Sequence, residues 1–168
     1  MHWYLKLLKP IQKKIVMIEA DVLVETKKWK RIIQNPRSQI LKIVKKFPSQ
    51  YKFLYKKAQI SILLTNNQKI KFLNKKFRNK NKPTDILSFP FFDKKNFNKN
   101  IKNKNFYLGD IVIGYEEFLK KNRNDYENGF IKIFIHGFLH LLNYDHKSDK
   151  DYAIMNSIEN KIFRKIKG

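Results

Sequence analysis

At 168 residues, with 42% hydrophobic and 14% aromatic side chains, the chain can bury a substantial core; this excludes a disordered protein and fits one domain spanning 1–168. The absence of cysteine excludes disulfides, thiolate metal ligands and cysteine nucleophiles, and fits a cytosolic protein. The net charge of +23 points to a polyanionic partner, although only five of the 37 basic residues are arginine and the wealth of Lys, Asn, Ile and Phe matches A/T-rich codon usage.

In chain order, the start "MHWYLKLLKPIQKK" is broken by Lys6 and Lys9 and lacks a signal-peptide pattern, so a cytoplasmic location is expected. No uninterrupted apolar run approaches the ~18 residues of a membrane span, so no membrane partner is expected. "KKIVMIEA" (13–20) predicts a strand whose end is blurred by "DVLVE". "SQILKIVKKF" (38–47) places Ile40, Leu41, Ile43, Val44 and Phe47 at helical spacing before the stop at Pro48. "AQISILLT" (58–65) predicts a strand, and "NNQKIKFLNKKFR" (66–78) an asparagine-capped helix with Ile70, Leu73 and Phe77 on one side.

"DILSFPFF" (85–92) predicts another strand, with Pro90 marking a sheet edge or a strand end. Residues 94–105 are almost entirely lysine and asparagine and predict a surface loop. "YLGDIVIG" (107–114) predicts a strand followed by a helix at "YEEFLKKNR". "ENGFIKIFIHGFLHLLN" (127–143) is apolar nearly all round, as a buried central helix must be. The final helix begins with the capping signature "SDKD" at Ser148 and continues through Ala153, Met155, Ile158, Ile162 and Ile166. The expected fold is a single α/β (α+β) domain, with a mixed sheet of about four strands packed against helices.

"HGFLHLLNYDH" (136–146) holds three of the four histidines. His136 and His140 lie about 40° apart around a helix and about 6 Å apart along it, so both imidazoles can reach one ion. His146 joins them only if the chain turns back, and Asn143 suits a left-handed helix end. Three imidazoles with an open fourth position make a catalytic zinc site, and no cysteine exists to close it. Asp145 can orient an imidazole or simply stand in the turn. The spacing is also that of the metzincin proteases, H-E-x-x-H-x-x-G-x-x-H, but Gly137 replaces their glutamate and removes the general base of peptide hydrolysis.

"FRNKNKPTDILSF" (77–89) gathers Arg78, Thr84, Asp85 and Ser88 near one loop-to-strand junction, where the planar fork of Arg78 suits a phosphate. Gly109 and Asp110 read most simply as a tight turn at a strand start.

Taken together and in order, "LNKKFRNKNKPTDILSFP", "LGDIVI", "HGFLHLLNYDH" and "MNSIE" resemble the YbeY family of metal-dependent endoribonucleases and rRNA maturation factors. The matching blocks span 73–159, and the first 50 residues match only loosely. The resemblance implies one zinc ion on His136, His140 and His146, with Arg78 and His136 carrying catalysis. It implies a single-strand-specific endoribonuclease in 16S rRNA 3′-end maturation and ribosome quality control, with single-stranded rRNA and the small ribosomal subunit as partners. Asn79 and Asn143 stand where that family usually has glycine, a change that keeps the backbone role if both sites are left-handed. RNA brings its own 2′-hydroxyl nucleophile, so the missing glutamate is no defect; Asp85, Asp110 or hydroxide on the ion can each take the proton. A zinc metalloprotease and a non-catalytic, metal-stabilised ribosome assembly factor are the competing readings.

Overall fold

The structure, a computed structural model, describes residues 17–48, 51, 57–100 and 105–168. Four strands form one sheet in the order β1 (Met17–Val24), β2 (Lys57–Thr65), β4 (Asn105–Gly114) and β3 (Ile86–Pro90). β1 and β4 run parallel to β2, and β3 pairs antiparallel with β4 at the edge. The helices described are α1 (Pro36–Lys45), α2 (Asn67–Arg78), α3 (Lys94–Asn100), α4 (Tyr115–Lys121), α5 (Tyr126–Leu141) and α6 (Asp149–Lys167). The mixed α/β arrangement expected from the sequence is the one observed.

The strands follow the residue pattern. On β2, Ala58, Ile60, Ile62 and Leu64 are buried on one face, as period-two side chains must be. β1 runs on through "DVLV" because it pairs in unbroken register with β2 up to Val24 opposite Leu64. The part of the first predicted strand before Met17 lies outside the described residues. Pro90 is both at the edge and the last residue of β3, where its missing N–H costs no ladder bond.

α5 is the core helix. Ten of its sixteen residues are buried, and Phe130, Phe134 and Phe138 are fully so. Each such aromatic contributes on the order of 1.5–3 kcal/mol of burial, so the helix that carries His136 and His140 is a rigid platform. α6 packs beside it through Met155, Ile162 and Ile166. α2 covers part of the opposite sheet face, where Ile70 meets Leu87 and Val112.

Two local readings are corrected, and one element carries no signal in the sequence. Residues 94–105 are not one loop: Lys94–Asn100 is α3, and Asn105 begins β4. The cause is Asp93, whose carboxylate accepts the Asn96 amide at 2.8 Å, while Phe97 packs half-buried against the core. Gly109 is not at a strand start but inside β4, at a bulge that leaves Leu108 without a partner on β2. Its φ of 136° and the Phe89 carbonyl oxygen against it leave no room for a side chain. Lys27–Arg31, which has no periodic signal, forms a 3-10 turn because Trp29 is wholly buried and its indole N–H donates to the Thr65 carbonyl at 3.1 Å.

Candidate metal centre

α5 ends at Leu141, two residues before the turn residue that the site requires. Asn143 has φ 64°, the left-handed conformation that asparagine tolerates, and its side-chain amide donates to the Phe92 carbonyl at 3.1 Å. The turn is closed by the Tyr144 amide on the Leu139 carbonyl at 3.1 Å. It reverses the chain, so His146 comes back over the end of α5. One candidate ligand nitrogen from each of His136, His140 and His146 lies within 4.8 Å of the others.

The outer nitrogen of each helical histidine is occupied. His136 Nδ1 meets Glu159 Oε1 at 2.8 Å, and His140 Nδ1 meets the Tyr144 carbonyl at 2.9 Å. A carbonyl only accepts, so His140 carries its proton on Nδ1; the Glu159 carboxylate places the His136 proton likewise. With both rings neutral each Nε2 presents a lone pair, and the two face each other at 3.1 Å. Two uncharged acceptors at that distance repel unless a cation lies between them. Nitrogens bound tetrahedrally at about 2.0–2.1 Å sit about 3.3–3.4 Å apart, so the pair is already spaced to share one ion. Burial first, and then the imidazole of His136, hold His140 below the ordinary histidine value, which favours the neutral form a metal needs.

Asp145 is the turn residue of the two readings the sequence left open. Its carboxylate accepts the His146 backbone amide at 2.9 Å and pairs with Lys147 at 3.1 Å. The group that orients an imidazole is Glu159, which the sequence left without a role. Its signal is a carboxylate four residues after buried Met155 and three before buried Ile162, where the helical period calls for an apolar side chain.

The histidines form one wall of a cleft of about 440 Å³. Arg78, Thr84, Asp85, Ile86, Ser88 and Pro90 also line it. Arg78 is the last residue of α2, and Asn79 at φ 56° ends the helix there. The loop that follows is pinned by Asn74, buried at 3% exposure, whose amide donates to the Lys82 carbonyl at 2.7 Å. Both asparagines that replace the family's usual glycines thus keep the left-handed backbone. Asp85 stands in the cleft wall but pairs with Lys121 at 2.8 Å. Asp110 does not line the cleft: it accepts the Tyr107 hydroxyl at 2.7 Å in a separate groove with Leu73, Phe77 and Phe89. That removes Asp110 from the candidates for proton acceptor.

Gly137 faces the sheet. A Cβ there would come within 2.7 Å of Ile86 Cδ1 and 3.2 Å of both Ile111 Cγ2 and Ser88 Oγ. The residue that stands in place of the protease glutamate is a glycine because α5 packs directly on β3 and β4.

The fold and cleft define a class: an α/β domain that brings three histidines within metal-binding distance of one another, with an arginine in the same cleft. Residues 22–167 match the family described as Endoribonuclease YbeY, and the chain belongs to that family. It is 49% identical over 155 residues to Endoribonuclease YbeY of Pelagibacter ubique, covering 90% of this chain and 97% of that one. It is 37% identical over 153 residues to the Ehrlichia canis protein of the same name, covering 89% and 93%. The solution structure of Thermotoga maritima TM1509 superposes with a TM-score of 0.54 at 25% identity, covering 88% of this chain and 89% of that one. No helix among the described residues is long and apolar enough to cross a membrane.

Proposed function

We propose that this protein is a zinc-dependent endoribonuclease that cuts single-stranded RNA. Its proposed task is maturation of the 16S rRNA 3′ end and ribosome quality control, in the cytoplasm and on the small ribosomal subunit. The observation that carries the reading is the pair of Nε2 atoms, aimed at one point by fixed Nδ1 partners, in the same cleft as Arg78. Three neutral imidazoles favour zinc over magnesium or calcium, which prefer oxygen ligands. His136, His140 and His146 would hold the zinc, which would supply Lewis-acid chemistry in the cleft.

The protein's own groups do the rest. Glu159 and the Tyr144 carbonyl hold the imidazole tautomers. Arg78 grips the phosphate with paired N–H donors and offsets charge that builds in the transition state. Exposed Lys75, Lys76 and Lys80 around it supply sequence-independent attraction for the RNA backbone, which weakens as salt rises. The substrate's 2′-hydroxyl can serve as nucleophile, so the site needs no glutamate to activate an external water.

Replacing Arg78 with alanine lowers kcat/KM on a single-stranded RNA oligonucleotide by about 10²–10³-fold, the scale of a lost transition-state donor. Zinc content and melting temperature stay at wild-type values, because the Arg78 side chain is exposed. Arg78→Lys recovers only part of the rate, since an ammonium cannot make the two parallel bonds. Single-turnover kinetics checks this, and wild-type rates in Arg78→Ala would remove the arginine from the chemistry.

A further inference from the structure

Three polar residues are buried among the described residues: Thr65, Asn74 and Ser88. Thr65 donates to Glu25, and Asn74 donates to Lys82. Ser88 Oγ has no hydrogen-bond partner, although the residue is only 7% exposed. A buried hydroxyl left alone is a cost to the fold, and such a group calls for a partner from outside the chain, a water or a ligand.

The place of Ser88 suggests the ligand. On β3 the alternate residues Ile86, Ser88 and Pro90 all line the cleft, while Leu87 packs on the other sheet face. On the helix side the neighbour of Ser88 is Gly137, where a Cβ would lie 3.2 Å from Ser88 Oγ. Gly137 directly follows His136, so the hydroxyl sits beside the segment that holds the ion. Where zinc hydrolases of this histidine spacing carry a carboxylate, this chain has bare helix backbone met by a hydroxyl from the neighbouring strand. A serine hydroxyl is a poor base at neutral pH but a good, compact donor, and phosphate oxygens are acceptors only.

We infer that Ser88 is a further substrate contact, whose hydroxyl donates a hydrogen bond to a non-bridging oxygen of the RNA phosphate in the cleft. The inference rests on the endoribonuclease reading. It assigns the cleft two donors of different kinds: the charged fork of Arg78 at the exposed rim, and the neutral hydroxyl of Ser88, which is enclosed beside Gly137 in this structure and turns about χ1 into the cleft to meet the phosphate.

The test is Ser88→Ala in the full-length, zinc-supplied protein, beside the wild type. Three quantities are measured: cleavage of a single-stranded RNA oligonucleotide, affinity for the same oligonucleotide with 2′-deoxy sugars, and melting temperature with zinc content. The expected result is a fall of about 10- to 100-fold in kcat/KM, the scale of a lost hydrogen bond to a charged group. Affinity for the uncleavable strand changes less than about threefold, because it is spread over many lysine contacts. Zinc content is unchanged, and the melting temperature is equal to or above that of the wild type, since an unsatisfied hydroxyl has been removed. Cleavage within about twofold of wild type overturns the assignment. So does a fall in melting temperature that accompanies the loss, which makes Ser88 a packing residue. If the wild type itself neither cuts nor binds single-stranded RNA, the endoribonuclease reading fails first and the Ser88 contact with it.

Discussion

Alanine at His140 abolishes metal-dependent RNA cleavage, with a loss of at least about 10³-fold in single-turnover rate, and brings bound zinc well below one per chain. Of the three candidate ligands, His140 is fixed, like His136, through both ring nitrogens, with its Nδ1 on the Tyr144 carbonyl and its Nε2 at 3.1 Å from that of His136. Without it the ion has two imidazoles, one of them on the exposed turn at His146. A Lewis acid supplies several kcal/mol of transition-state stabilisation, and about 4 kcal/mol corresponds to that thousandfold. The fold survives, because α5 is held by Phe130, Phe134 and Phe138 and not by the imidazole. Elemental analysis and cleavage kinetics on the same preparation check both halves. Full zinc occupancy in His140→Ala would place the ion elsewhere.

Gly137→Glu restores the missing letter of the protease pattern and yields a less stable protein with no peptidase activity. Its first side-chain carbon meets Ile86, Ile111 and Ser88 at 2.7–3.2 Å, and the rest of the side chain brings a carboxylate into that packed contact. Overpacking costs about 1–3 kcal/mol and desolvation of the carboxylate adds to that, whereas the gain from removing a helical glycine is at most about 1 kcal/mol. The net is a destabilisation of about 2–3 kcal/mol, or about 5–10 °C in melting temperature for a domain of this size. Thermal melts and a peptide-hydrolysis assay read the two outcomes. An unchanged melting temperature would mean that α5 does not rest on β3 as described.

Much of this was legible in the sequence, for local reasons. The four-residue spacing of His136 and His140 needs only a helix, and Asn143 announces the reversal that returns His146. Strands β2 and β4 and helix α5 declare themselves by runs of apolar residues. The features that were not legible depend on partners far along the chain. Glu159 becomes a histidine partner only when α6 packs against α5, and nothing beside it in sequence points to His136. Asp110 looked as eligible as Asp85 until the sheet put it in a different groove. The polar run after Asp93 hid a helix because its cap and its single anchor, Phe97, are drowned in lysine and asparagine. Gly137 carried the most misleading signal: by pattern it is a deleted catalytic base, and by packing it is the contact that lets α5 lie against β3.

Ribonuclease activity in this chain is expected to depend on a metal ion held by His136, His140 and His146. The most direct test is to measure cleavage of a single-stranded rRNA precursor by the purified protein as isolated, after complete chelation, and after zinc is returned. About one zinc per chain is expected, with cleavage lost on chelation and recovered when zinc is returned. Cleavage that continues unchanged in protein stripped of metal, or zinc-loaded protein that leaves the precursor intact while a relative cuts it under the same conditions, would contradict it.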